Sequence, residues 1–181
     1  MKKVYTKAED KGTTSDFKGR CIAKDGVITE VNGTIDELSS CLGYFRSWMS
    51  VERLRGDVEW IQLRLAEAGA QISSEDDLKY ITTYHVHYLE EMIDALHEPL
   101  KPISNFIIPG GDNVEGPYLH VCRTICRRLE RRLVTLSKED RVDEELMIFF
   151  NRLSDALYSM ARFAHHHFDD KEQLWKTNSP S

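Results

Sequence analysis

Asn151-Arg152-Leu153-Ser154-Asp155 lies inside a longer apolar rhythm. Leu146, Phe149, Phe150, Leu153, Leu157, Met160, Ala161 and Ala164 recur at the three- and four-residue spacing of one helix face. One segment upstream, Arg123, Arg127, Arg128, Glu130 and Arg131 interrupt a second such rhythm, formed by Leu119, Cys122, Ile125, Cys126, Leu129, Leu133 and Leu136. Polar clusters on neighbouring helices of an apolar-cored protein are expensive unless they are paired or meet a ligand. The chain also begins with a Lys/Gly/Thr-rich stretch, Tyr5-Thr6-Lys7-Ala8-Glu9-Asp10-Lys11-Gly12-Thr13-Thr14-Ser15. Together these features predict an all-α protein that holds a polyanion.

Working outward, three further helices are expected. Thr34 with Glu37 has the form of a capping box opening the first, whose apolar face is Ile35, Leu38, Leu42, Phe45 and Met49. Asp36, Ser40 and Gly43 share another face, small enough for a close neighbour. Leu54, Val58, Ile61, Leu65, Ala68 and Ile72 mark the second helix. Ser74 with Asp77 is expected to open the third, which continues through Ile81, His85, Tyr88, Met92 and Leu96 and stops near Pro99 and Pro102. Pro117 suits the first turn of the fourth helix. Phe106-Ile107-Ile108-Pro109-Gly110-Gly111 is apolar and then turn-forming, so it is expected to enter the interior. The expectation is a five-helix bundle in one domain, residues 1–170. An irregular segment, 1–32, precedes the bundle at 33–167, and a flexible tail, 171–181, follows it.

At 181 residues the chain suits one well-filled core, and 41% hydrophobic with 30% charged residues is ordinary for a globular protein. A formal net charge of −6 argues against a nucleic-acid partner, but a local positive cluster still suits a small phosphate ligand. Neither a membrane-spanning run nor the apolar segment of a secretory signal at Met1-Lys2-Lys3-Val4-Tyr5 is read, so a cytoplasmic protein is expected. Cys21, Cys41, Cys122 and Cys126 form no CxxC pair and read as reduced core cysteines. His165, His166 and His167 are consecutive at a helix end and so point apart, a poor metal set.

Arg123 and Arg127 are four residues apart and reach one region, with Glu130 placed to orient one of them. Paired guanidinium donors hold phosphate oxygens. A merely charge-laced helix explains Arg127 to Arg132 equally well when that stretch is taken alone. Asn151 and Asp155 on the next helix favour a site. Lys11, Gly12, Thr13 and Thr14 offer an ammonium, an uncluttered backbone and two hydroxyls, which is equipment for a triphosphate but not a P-loop.

The whole pattern resembles the PduO-type ATP:corrinoid adenosyltransferases over nearly all of residues 4–166. The resemblance rests on Tyr5-Thr6 with Asp10-Lys11-Gly12-Thr13-Thr14, on Gly33-Thr34-Ile35-Asp36-Glu37-Leu38, and on Phe106-Ile107-Ile108-Pro109-Gly110-Gly111. Arg123-Thr124-Ile125-Cys126-Arg127-Arg128-Leu129-Glu130-Arg131 and Asn151-Arg152-Leu153-Ser154-Asp155 complete it. Five blocks in order are far more specific than any one. The resemblance implies a homotrimer with active sites between subunits. In these the 5′-deoxyadenosyl group of ATP, carried with Mg2+, is transferred to the cobalt of cob(I)alamin.

For nucleotide contact the resemblance implies Thr6, Lys7, Ala8, Glu9, Lys11, Gly12, Thr14, Ser15 and Lys24, with Arg127, Arg128, Glu130, Arg131 and Asn151 from the bundle. It implies an Asp36–Arg123 pair across the subunit boundary and a Phe106 that sits under the corrin and excludes its lower axial ligand. Phe106 as a core aromatic anchoring the turn is the alternative. Transient contact with a cob(II)alamin reductase or a B12-dependent enzyme would accompany the activity. The family usually has Gly where Glu9 stands and commonly Arg where Cys21 stands, and the stretch before Arg123, containing Gly116-Pro117, is about one residue longer. These departures keep a second reading open, a weakened or non-catalytic paralogue that carries or senses its corrinoid or nucleotide.

Overall fold

The computed structural model describes residues 5, 10–16, 19–74, 79–139 and 142–175. Five helices dominate: α1 (Val27–Arg46), α2 (Glu52–Ile72), α3 (Thr83–His97), α4 (Glu115–Leu136) and α5 (Glu144–His167). Two small antiparallel pairs flank them. β1 (Thr13–Ser15) pairs with β2 (Cys21–Ala23), and β3 (Ile107–Ile108) pairs with β4 (Gln173–Leu174). The principal helix contacts run α2–α1–α4–α5–α3, and Trp60 of α2 stacks on Tyr88 of α3 at 4.3 Å to close the ring.

The apolar rhythms of α4 and α5 become the core. Leu119, Cys122, Leu129 and Leu133 face Phe149, Phe150, Leu153 and Leu157, all sealed from water. Side chains of this size gain roughly 1.5–3 kcal/mol each on burial, which is what holds the seam. Some polar groups that enter the interior tie elements together. Gln71 donates to Asp143 Oδ2 at 2.7 Å and accepts from the Tyr80 and Ile81 amides. Glu115 Oε1 accepts from the Ser50 amide and hydroxyl, tying the α1–α2 connection to the start of α4. Gly43 lets α2 approach: a Cβ there would lie 2.8 Å from Gln62 Nε2, which donates to the Ser39 carbonyl. The close neighbour of that small face is therefore α2.

Several expectations change. α1 begins at Val27, not Thr34, so the bundle takes in residues assigned to the leading segment. Thr34 lies inside the helix, where its hydroxyl donates to the Glu30 carbonyl, and Val27 and Val31 extend the apolar face backwards. α3 opens at Thr82, whose amide donates to His85 Nδ1 at 3.1 Å. The proposed partner Asp77 lies outside the described residues. The 106–111 stretch stays at the surface, because its backbone finds partners in β4 rather than in the interior. Residues 171–175, expected in a loose tail, are thereby held; 176–181 lie outside the described residues. Cys122 and Cys126 are buried, Cys41 is half-buried, and Cys21 is exposed on β2 rather than in the core.

Candidate active site

α4 carries Arg123, Arg127 and Glu130 along one stripe, and α5 brings Asn151 to it. Asn151 Nδ2 donates to Glu130 Oε1 at 2.9 Å. Arg127 lies 3.5 Å from Glu130 Oε2, an ion-pair distance too long for a strong hydrogen bond. Arg131 donates back to the Arg127 carbonyl at 3.1 Å. The expected cluster is therefore one connected set, with the Arg127 guanidinium half-exposed and able to take an anion. Arg128, about 100° round the helix, pairs instead with Glu37 of α1. On α5 the pentapeptide divides: Asn151 serves this stripe, while Arg152 pairs with Glu90 of α3 and with Asp155.

A second group surrounds Phe106, at 78% exposure the most exposed large apolar side chain among the described residues. It lines a cavity of about 380 Å³ with Ile103, Ser104, His120, Arg123 and Tyr158. Arg123 Nε donates to His120 Nδ1 at 3.3 Å. Burial, and then the positive charge of Arg123, push His120 down to about 4, so it stays neutral and accepts that hydrogen bond. Burial and the neighbouring Arg127 also lower Arg123. Among the described residues no carboxylate of this chain pairs with Arg123, and Asp36 lies exposed on α1 without a partner.

The third group is the β1–β2 hairpin. Gly12 adopts φ +81°, a left-handed conformation that glycine takes without strain. Its carbonyl accepts from the Lys24 amide at 3.0 Å, so Lys11, Gly12, Thr14, Ser15 and Lys24 gather on one small ladder. The base of the hairpin meets the first turn of α1 and the last of α4 through Ile22, Ala23, Val27 and Leu136. Thr6, Lys7, Ala8 and Glu9 lie outside the described residues. The arrangement supplies cationic and hydroxyl donors for an anion at one place and an apolar wall beside a lone guanidinium at another. Among the described residues no Ser/His/Asp or Cys/His relay joins them.

Three participants escaped the sequence reading: His120, Tyr158 and Trp175, whose amide donates to the Phe106 carbonyl at 2.8 Å. His120 had a signal, standing three residues before Arg123 within an apolar row. Trp175 lies nearly seventy residues from Phe106 and had none.

Comparison with known proteins bears on all of this. The family model described as cobalamin adenosyltransferase matches residues 4–164. Corrinoid adenosyltransferase MMAB of Homo sapiens is 36% identical over 190 aligned residues, covering 99% of this chain and 75% of that protein. A corrinoid adenosyltransferase of Citrobacter freundii is 38% identical, with 90% and 94% covered. A variant PduO-type ATP:corrinoid adenosyltransferase from Lactobacillus reuteri, solved with cobalamin and ATP, superposes with a TM-score of 0.91 at 31% identity over 97% of each chain. This five-helix chain belongs to the cobalamin adenosyltransferase family.

Proposed function

We propose that this protein transfers the 5′-deoxyadenosyl group of ATP to the cobalt of cob(I)alamin, forming adenosylcobalamin and releasing triphosphate. The observation that carries the reading is Phe106: an apolar ring held out of the core at the mouth of a cavity whose other wall is a guanidinium. A planar apolar macrocycle with polar side arms fits such a mouth. Relatives of this chain over nearly its whole length are corrinoid adenosyltransferases, which disfavours the silent-carrier alternative.

The nucleophile is the substrate cobalt. Co(I) gives its electron pair to the ribose 5′ carbon while the bond to the 5′ oxygen breaks and triphosphate departs. The chain then has two tasks, to place the reactants in line and to receive the charge that grows on the leaving group. Arg127, braced by Glu130 and Asn151, suits the second with Lys11 and Lys24 of the hairpin. Thr14 and Ser15 supply hydroxyls. Among the described residues no three His, Cys, Asp or Glu side chains gather to cage a metal. Magnesium, carried with ATP, would neutralise charge on the triphosphate. Phe106 walls the lower face of the corrin against an axial ligand, which makes Co(II) easier to reduce.

Among the described residues Asp36 has no partner and Arg123 has no carboxylate, which supports a homotrimer in which the two meet between subunits. A partly buried guanidinium without a carboxylate is the state that proteins avoid. Sedimentation equilibrium at micromolar concentration should give three times the chain mass; a monomer overturns the assembly. Asp36→Ala should harm corrinoid binding or assembly more than the Asp36/Arg123 double change does. Among the described residues no helix is long and apolar enough to cross a membrane; we place the reaction in the cytoplasm, with a reductase docking transiently to supply Co(I). The decisive test is anaerobic: chemically reduced cobalamin and MgATP should convert optically to the alkylated product, and no conversion rejects the enzyme.

A further inference from the structure

Phe106 has no core packing to fix it, yet its carbonyl and its neighbours on both sides are tied to the 173–175 segment. The Trp175 amide donates to the Phe106 carbonyl at 2.8 Å, and Asn105 Nδ2 donates to the Trp175 carbonyl at 3.2 Å. Next along the chain, β4 pairs with β3, placing Leu174 opposite Ile107 and Gln173 opposite Ile108. The two rings then stand 6.3 Å apart, tilted by 53°, an edge-biased contact that limits the rotamers open to both. Both are largely exposed, Trp175 at 50%.

The segment that carries Trp175 is itself pinned to α5. Arg162, 7% exposed, donates through Nε to Glu172 Oε1 at 3.1 Å and through its terminal nitrogen to the Lys101 carbonyl at 2.8 Å. One turn on, Asp170 Oδ2 accepts from the Asp112 and Asn113 amides and lies 3.0 Å from His165 Nδ1. A Cβ on Gly116 would fall 2.4 Å from His165 Nε2, so glycine there admits the ring. A buried arginine and a buried histidine are a heavy commitment for an edge that encloses little core. What the edge does hold is the pose of Phe106.

We propose that Trp175 is a positioning residue for Phe106: the 171–175 strap fixes the backbone of residues 105–108, and the Trp175 indole holds the Phe106 ring in the orientation that faces the corrinoid. This rests on the functional reading above. Phe106 touches the substrate in that reading; Trp175 acts through it.

The test uses the full chain with Trp175→Ala and Trp175→Phe. In the ligand-free protein, hydrogen exchange of the 105–108 amides should accelerate about tenfold in the alanine variant and return towards the parent in the phenylalanine variant. With cob(II)alamin and MgATP, the alanine variant should shift the Co(II) spectrum towards the axially ligated form. Turnover from Co(II) should fall about tenfold, while turnover from preformed Co(I) and the affinity for ATP stay within about twofold. A merely structural residue would lower all of these together with the melting temperature. Unchanged exchange and an unchanged Co(II) spectrum in Trp175→Ala overturn the proposal, as does failure of phenylalanine to rescue. If the parent chain makes no adenosylcobalamin, the functional reading falls, and the exchange data alone decide whether the strap positions Phe106.

Discussion

Along the α4–α5 seam, Leu129, Phe149 and Phe150 are sealed from water, whereas at the 105–111 edge Phe106 projects into it. The seam is stabilised by packing and tolerates no change of volume. The edge is stabilised by backbone pairing and a few buried ions, and its apolar ring is left uncovered. Buried rings hold the fold, whereas Phe106 is uncovered and, in the proposed function, faces the corrinoid.

The largest contrast follows directly. Phe149→Ala should destabilise the fold by about 3–5 kcal/mol through lost burial and a residual cavity. Phe106→Ala should change stability by less than about 0.5 kcal/mol. Its exposure removes the alternative in which Phe106 is a core anchor of the turn. Adenosylation starting from Co(II) should nevertheless fall further in Phe106→Ala than adenosylation starting from Co(I). Denaturant titration of both variants beside the two assays checks this. A Phe106 variant as unstable as Phe149→Ala would break the distinction.

His120 sits where seam meets edge, and its titration sharpens the comparison. Its folded value, about 4, lies below the ordinary histidine value of 6.5, lowered first by burial and then by the Arg123 guanidinium. As pH falls, the unfolded chain takes up the proton first. Stability is thus fully present above pH 6.5, declines between 6.5 and about 4 by up to about 3 kcal/mol, and levels off below. Asp170 is shifted in the same direction, held below its ordinary range first by the Asn113 amide, and loses its share only as pH falls past that window. His120→Gln keeps an acceptor for Arg123 and cannot take up a proton, so melting temperatures between pH 7 and 4 should flatten. An unaltered slope would mean that another group carries it.

The two regions were not equally legible. The seam is written in the chain at a period of 3.6 residues, and every apolar position assigned to the fourth and fifth helices is buried. Periodicity also held the true start of α1, since Val27, Val31 and Leu38 continue one face. Thr34 and Glu37 obscured it by imitating a cap at a place where the helix was already running. The edge is written in two residues of β3 and two of β4, separated by the whole of α4 and α5. A ladder that short has no period to read, and its partner is fixed by Arg162 and His165, whose burial follows only from the packed helices. The Arg127–Glu130–Asn151 set lay between these extremes: helical spacing put Arg127 and Glu130 together, and Asn151 joined them only once α5 had docked.

Within α4 the same contrast recurs on a smaller scale. Arg127 has its carboxylate partner at 3.5 Å and a half-exposed guanidinium, whereas Arg128 is engaged with Glu37 in tying α4 to α1. Arg127→Ala should weaken ATP binding by about 1.5–3 kcal/mol, the worth of a charge-assisted phosphate contact. Arg128→Ala removes a surface ion pair of about 0–1 kcal/mol and should leave ATP binding nearly as it was. Calorimetric titration with MgATP compares them. Equal or reversed losses would show that the nucleotide does not use the stripe shared with Asn151.

The smallest effect is expected at Gly12, on the other ladder. Its φ of +81° disfavours a side chain by about 1–2 kcal/mol, while alanine gains part of this back by restricting the unfolded chain, about 0.4–1 kcal/mol. Nothing lies within 4 Å of the position a Cβ would occupy, so no clash adds to the strain. Gly12→Ala should thus lower stability by about 1 kcal/mol or less. Any relaxation of φ moves the carbonyl that accepts from Lys24, so ATP affinity should fall modestly, and less than in Arg127→Ala. Gly12→Asn is the control, because asparagine tolerates the left-handed region better and should retain more of the affinity. Equal behaviour of the alanine and asparagine variants would show that backbone conformation is not what matters at Gly12. A loss matching that of Arg127→Ala would move the main anchor of the triphosphate from the helix stripe to the hairpin.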